Sequence, residues 1–205
     1  MPAIEAVLFD FDGVLVDSEP VHFRCWRELT APFGIEIDWE TYSKAYIGVA
    51  TRQMLQDFCD RTANGTTLDQ LLALLPRKRA MFNEIVCREL PFAQEYRELL
   101  DALAGYKLAV VTSSNRIEVE PVLAAAGIRD RFAALVCGSD VSRQKPAPDP
   151  YLKAAELLGI TRALVVEDSD PGVESALAAG FEVVQVDGPG EVWPLLKARL
   201  AHNCR

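Results

Sequence analysis

Histidine is almost missing from this chain. His22 and His202 are the only two in 205 residues. A triad built on a histidine base, or a metal site made of several imidazoles, would have to use those two. Cysteine is sparse as well. Cys25, Cys59, Cys87, Cys137 and Cys204 are scattered, odd in number and without C-x-x-C spacing. That argues against a disulfide framework or a zinc site and fits reduced thiols. Basic residues are outnumbered, 21 Lys and Arg against 30 Asp and Glu, for a net charge of -9. A nucleic-acid face or a docking site for anionic lipid needs the opposite balance. An acidic protein can still bind an anionic substrate, but through local cations or a metal. No apolar run is long enough to span a bilayer. The opening from Met1 to Asp10 has neither a basic stretch nor a cleavage site, so a cytoplasmic protein is expected. There is no coiled-coil heptad, and a monomer is the expected state.

What the chain does have is apolar material. Half its residues are hydrophobic, enough for a sizeable core. Short apolar runs recur at Ala6-Val7-Leu8-Phe9, Leu108-Ala109-Val110-Val111, Ala134-Leu135-Val136-Cys137, Ala163-Leu164-Val165-Val166 and Glu182-Val183-Val184-Gln185-Val186. Each reads as a buried strand. Helix signals lie between them. Asn115 with Glu118 is a capping box, although Pro121 suggests a later start for that helix. Asp149-Pro150 and Asp170-Pro171 are start signals, with Gly159 and Gly180 as the matching stops. Alternating strands and helices predict an α/β fold, a Rossmann-like parallel-sheet core covered by helices on both faces. Residues 16–87 break the alternation. They carry helical patterns around 21–30, 39–46, 51–59 and 67–87, with Thr67 and Gln70 as a capping box and Asn64-Gly65 as a turn. The expected organisation is a core of residues 1–15 and 88–205 with an inserted all-helical cap, 16–87, placed to act as a lid.

Chemistry collects at the strand ends. The first strand runs into Asp10-Phe11-Asp12-Gly13, the second into Thr112-Ser113-Ser114, and the fourth into Glu167-Asp168-Ser169. Lys145-Pro146 follows the third. In open parallel sheets ligands sit beyond the carboxyl ends of the strands, so these groups would converge. Paired acids at the end of apolar strands are costly unless a cation joins them. Oxygen ligands without His or Cys point to a hard metal, and Mg²⁺ is the natural choice. Residues two apart on an extended segment face the same way, so Asp10 and Asp12 could serve one substrate. Any one of these motifs alone would read as a turn or a cap. All four in this order, each at a strand end, are hard to produce by accident and point to a site.

The same four segments resemble the motifs of the haloacid dehalogenase superfamily. Asp10 through Glu19 is similar to its first motif and Val110 through Asn115 to its second. Lys145 through Pro150 is similar to the third, and Val166 through Ser169, with Gly172 and Ala178-Ala179-Gly180, to the fourth. A helical insertion after the first motif resembles the branch of phosphoglycolate phosphatases and β-phosphoglucomutases. The resemblance implies an aspartyl-phosphate on Asp10, acid/base work by Asp12, and Thr112 and Lys145 on the phosphoryl oxygens. It also implies Mg²⁺ held by Asp10, the Asp12 backbone carbonyl and Asp168, with Glu167 as ligand or neighbour. Substrate contacts are implied for Ser113, Ser114 and Asn115, and in the insertion for Gly48, Arg52, Lys78 and His22. A second aspartate at Asp12 distinguishes phosphatases and phosphomutases from halide-displacing members and from phosphorylating ATPases.

In the insertion each residue also has a plainer role. Arg52 fits an exposed helix position. Lys78 stands in Arg77-Lys78-Arg79, and such a run usually marks a solvated face. His22 fits packing or surface, and Phe23 and Trp26 fit the insertion's own core. One departure from the family stands at the return to the core, where Leu90 through Glu95 lacks the usual glycine. The favoured expectation is a Mg²⁺-dependent phosphatase of a small phosphorylated sugar or organic acid. A β-phosphoglucomutase-type phosphomutase is the alternative, and a non-catalytic phosphate-binding protein a third.

Overall fold

The computed structural model describes residues 4–203 apart from Gly48, Ala63, Pro91, Ala93 and Gln94. The strands are β1 (Ala6–Phe9), β2 (Lys107–Val111), β3 (Ala134–Val136), β4 (Ala163–Glu167) and β5 (Glu182–Gln185). The helices before β2 are α1 (Glu19–Thr30), α2 (Trp39–Ala45), α3 (Thr51–Arg61), α4 (Leu68–Leu72), α5 (Leu75–Glu89) and α6 (Tyr96–Ala102). Those after it are α7 (Arg116–Ala125), α8 (Asp149–Leu158), α9 (Asp170–Ala178) and α10 (Pro189–Asn203). The chain divides into two compact units, residues 1–17 with 90–205, and residues 18–89.

All five expected strands form one parallel sheet in the order β3-β2-β1-β4-β5. From β1 the chain moves outward through β2 to β3, then returns to β4 on the other side of β1. The reversal therefore falls between β1 and β4, the place beyond the strand ends where ligands bind in such sheets. Register decides what meets there. Phe9 pairs with Val110 on one side and Val166 on the other. The Asp10 amide continues the ladder to the Val166 carbonyl at 3.0 Å. Asp10 thus leaves the sheet level with Val111 and Glu167.

Side chains alternate across a strand, and here both sets are buried. Ala6, Leu8, Ala109, Val111 and Val165 pack with Tyr151, Ala154 and Ala176 of α8 and α9. The opposite set, Val7, Phe9, Val110 and Val166, is equally closed to water. Phe9 meets Phe132 edge-on on that side, with ring centroids 6.3 Å apart. Apolar runs without a polar alternate are what a doubly covered sheet requires.

Local signals set the helix ends. Glu118 Oε2 accepts from the Asn115 amide and side chain at 3.4 and 3.2 Å. The helix starts at Arg116 and carries Pro121 inside it, contrary to the later start that the proline suggested. Capping and the buried Val119, Val122 and Leu123 outweigh the one missing backbone bond. In α9 the Ser169 hydroxyl caps the Gly172 amide at 3.2 Å, so the cap lies one residue before Asp170.

The 18–89 unit holds α1 to α5 and, among its described residues, no strand. Its core joins Phe23, Trp26, Tyr42, Met54, Leu55, Phe58 and Leu71. The single helix expected over 67–87 is two helices, α4 and α5. Pro76 accounts for the break, because it has no amide to bond back into α4 and suits the first turn of a new helix. No helix among the described residues is long and apolar enough to cross a membrane.

Candidate active site

The segment after β1 is a tight turn. The amides of Leu15 and Val16 both bond to the Phe11 carbonyl, at 2.9 and 3.1 Å, and the Gly13 amide bonds to the Val16 carbonyl at 2.9 Å. Gly13 has φ +73°, a conformation that side chains rarely adopt. A Cβ there would also stand 2.0 Å from Asp168 Oδ2. Glycine is required on both counts, and the turn can fold down onto the acid that follows β4.

Lys145 links this turn to the rest of the site. Its ammonium donates to Asp10 Oδ1 at 2.6 Å, to Glu167 Oε1 at 2.5 Å and to the Val111 carbonyl at 2.9 Å. An ammonium has three N–H groups, and each has an acceptor. The ends of β1, β2 and β4 are thereby tied to one cation, whose side chain is only 6% exposed. Glu167, fully buried, is held from all sides. Its Oε1 also accepts from the Tyr151 hydroxyl at 2.8 Å. Its Oε2 accepts from the Asp168 amide, the Ser169 amide and the Ser169 hydroxyl at 3.1, 3.3 and 3.1 Å. A Cβ on Gly172 would stand 2.0 Å from this carboxylate, so that glycine makes room for it.

Asp12 is held from the second strand. The Ser114 hydroxyl donates to Asp12 Oδ2 at 2.6 Å. Thr112, 3% exposed, accepts the Ser114 amide on its own hydroxyl at 3.0 Å. Gly138, after β3, lies so close that a Cβ would come within 2.4 Å of the Ser113 carbonyl, and its amide bonds to the Ser114 carbonyl at 3.1 Å. The Ser113 side chain faces solvent, and Asn115 is engaged with Glu118.

The electrostatics call for a further cation. One carboxylate oxygen from each of Asp10, Glu167 and Asp168 lies within 4.8 Å of the other two. Burial pushes the Asp10 carboxyl well above its usual range; Lys145 opposes this, and Glu167 and Asp12 add to it. Asp168 is pushed up to about 6 by burial and by Glu167. Burial works to lower the Lys145 ammonium, but Asp10 and Glu167 outweigh it and the net shift is upward. One ammonium faces three carboxylates. An all-oxygen donor set without His or Cys fits a hard divalent cation such as Mg²⁺. Burial and the Glu167 charge also hold the Tyr151 phenol protonated, as a donor.

Asp10, Asp12, Thr112, Lys145, Glu167 and Asp168, expected together from sequence, all stand at the carboxyl ends of the sheet. Three of the residues expected from the insertion lie in the 18–89 unit. Arg52 is exposed at the start of α3. Lys78 is not on a solvated face: it is 7% exposed, a correction to the reading of its basic run. Its ammonium lies 2.6 Å from His22 Nδ1 and 4.7 Å from the Phe82 ring centroid. His22 stacks on the same ring at 4.3 Å. An ammonium has no lone pair, so in this contact the lysine donates and His22 Nδ1 accepts. Gly48 is outside the described residues. Tyr151 was not among the residues expected from sequence. It sits two places after Asp149, on the buried stripe of Tyr151, Ala154, Ala155 and Leu158, where a phenol needs a polar partner.

A doubly covered parallel sheet with a buried lysine and clustered carboxylates at its switch point is the architecture of an α/β enzyme core. Residues 7–186 match the family described as haloacid dehalogenase-like hydrolase, and the chain belongs to it. Over 186 residues it is 33% identical to the fructose-1-phosphate phosphatase YqaB of Escherichia coli, covering 88% of this chain and 95% of that one. It is 32% identical to a beta-phosphoglucomutase of Mycobacterium bovis, covering 88% and 80%. The crystal structure of CbbY from Rhodobacter sphaeroides in complex with phosphate is similar, with TM-score 0.73, 25% identity and coverage of 92% and 96%.

Proposed function

We propose that this hydrolase-family enzyme is a Mg²⁺-dependent phosphatase of a small phosphorylated metabolite, a sugar phosphate or an organic-acid phosphate. The observation that carries the reading is Asp10, buried and aimed by Lys145 at 2.6 Å, with Asp12 two residues on and held by Ser114. Asp10 attacks phosphorus, the bond to the ester oxygen breaks, and Asp12 gives its proton to the departing oxygen. Water then attacks the aspartyl-phosphate while Asp12 takes its proton, and phosphate leaves with Asp10 restored. Thr112 and Lys145 hold the phosphoryl oxygens. Asp10, the Asp12 carbonyl and Asp168, with Glu167 beside them, would hold Mg²⁺, which when bound would supply the positive charge that lets an anionic carboxylate approach an anionic phosphate.

The 18–89 unit is proposed as the cap that selects the substrate, with Lys78, His22, Arg52 and Gly48 as its contacts; Ser113, Ser114 and Asn115 are proposed separately as substrate contacts of the core. A relative named for fructose 1-phosphate supports a sugar phosphate as the first substrate to try. A monomer in the cytoplasm, without nucleic-acid or membrane partner, completes the reading. A relative named as a beta-phosphoglucomutase favours a second reading, transfer to a sugar hydroxyl in place of water. The two share their first half. Phosphate release from sugar phosphates without bisphosphate priming supports the phosphatase. Conversion of β-glucose 1-phosphate only after bisphosphate is added would assign the mutase.

A further inference from the structure

We propose that Tyr151 is a positioning residue for Lys145, acting through Glu167. The inference rests on the phosphatase reading, in which Lys145 aims the nucleophile and holds phosphoryl oxygens. Tyr151 is fully buried, in the first turn of α8, six residues after Lys145. Its hydroxyl and the lysine ammonium donate to the same oxygen, Glu167 Oε1, at 2.8 and 2.5 Å. The ammonium also lies 5.2 Å from the centroid of the tyrosine ring. The oxygen thus accepts from hydroxyl and ammonium together, and the ammonium also faces the ring, so all three contacts are favourable.

The geometry explains why the tyrosine has a hydroxyl at all. Its ring fills the core between α8 and the sheet, and phenylalanine would fill the same space. The hydroxyl instead fixes the rotamer of Glu167, whose other oxygen is pinned by the backbone and hydroxyl after β4. A carboxylate fixed at both oxygens gives Lys145 one place to stand, within reach of Asp10. Without the phenol, Glu167 Oε1 keeps only the lysine, and the ammonium is drawn toward it and away from Asp10. Helix α8 thereby locks the lysine that its own preceding loop delivers.

The test uses the full chain with Tyr151→Phe, which keeps the ring, and Tyr151→Leu, which removes it. The readouts are the affinity for inorganic phosphate with Mg²⁺, by calorimetry, and the melting temperature. Phosphate binding needs no turnover, so the test stands even if the wild type hydrolyses nothing, which would sink the phosphatase reading alone. Tyr151→Phe should melt within a few degrees of wild type yet bind phosphate roughly tenfold more weakly, the loss expected for one hydrogen bond to a charged group. Tyr151→Leu should bind it more weakly still. In a Lys145→Ala background Tyr151→Phe should weaken phosphate binding no further, because its effect runs through the lysine. Phosphate affinity within twofold of wild type in Tyr151→Phe, or an effect fully additive with Lys145→Ala, overturns the proposal. Should Tyr151→Phe not fold, Tyr151→Leu removes the same hydroxyl contact, and unchanged phosphate affinity there overturns it equally.

Discussion

Gly13 and Asp168 occupy one another's space: a single added carbon on the glycine would lie 2.0 Å from the aspartate's Oδ2. The turn that follows the first strand is thus seated directly on the acid that follows the fourth. Gly13→Ala should force them apart. Backbone strain at φ +73° should cost about 1 kcal/mol in stability, seen as a lower melting temperature. The displaced Asp168 should weaken Mg²⁺ binding by roughly tenfold or more, measured by calorimetry. Unchanged metal affinity would mean that Asp168 does not serve a cation.

Asp168 also gives the site a pH signature. Its folded pKa is raised from 3.8 to about 6. A carboxyl with a raised folded pKa favours the protonated form, so its contribution stabilises the metal-free protein at low pH. That contribution is lost as pH rises from about 4 to about 6. A cation binds only the ionised form, so Mg²⁺ affinity should move the other way and climb about tenfold from pH 5 to pH 7. Calorimetric titrations at the two pH values check this, and a flat profile would contradict it.

Lys78 should behave as a residue kept for function. A buried ammonium is costly to desolvate, and replacing a buried charged group by an apolar one of similar size is often neutral or stabilising. Lys78→Met should therefore melt no lower than wild type, within about 1 kcal/mol, while kcat/KM for the best substrate falls roughly tenfold or more. A large loss of melting temperature with unchanged kcat/KM would make Lys78 part of the fold alone.

Metal removal should separate the two charged partners of Asp10. With EDTA the wild type should lose phosphate release, and adding Mg²⁺ should restore it. Asp168→Ala should need more Mg²⁺ for the same rate and recover part of its activity at high metal. Lys145→Ala should not be rescued by metal, because the lysine bonds directly to Asp10 and is buried.

The sheet was easy to read because a strand buried on both faces leaves a continuous apolar run, as at Ala6–Phe9 and Ala163–Glu167. The polar residues that stop those runs were then legible as a site, since Asp10 and Glu167 interrupt apolar strands where nothing but chemistry asks for a charge. Lys78 misled because its neighbours Arg77 and Arg79 are also basic. On a helix they point elsewhere, while Lys78, Phe82, Ile85 and Val86 share the buried stripe. Phase along the helix carried the answer, and the local run of charge concealed it. Tyr151 was hidden for a related reason. A lone aromatic on an apolar stripe looks like packing, and only coordinates reveal what its hydroxyl meets. The break between α4 and α5 precedes Pro76, and the helical pattern over 67–87 runs across it, which concealed the break.

The most direct measurement of the central claim is phosphate release from fructose 1-phosphate and a panel of other sugar phosphates, phosphoglycolate and nucleotides, with Mg²⁺ and with EDTA, comparing wild type with Asp10→Asn. The account predicts metal-dependent release by the wild type and a loss of roughly four or more orders of magnitude in the variant, as for other covalent nucleophiles. Release that persists in Asp10→Asn would contradict it.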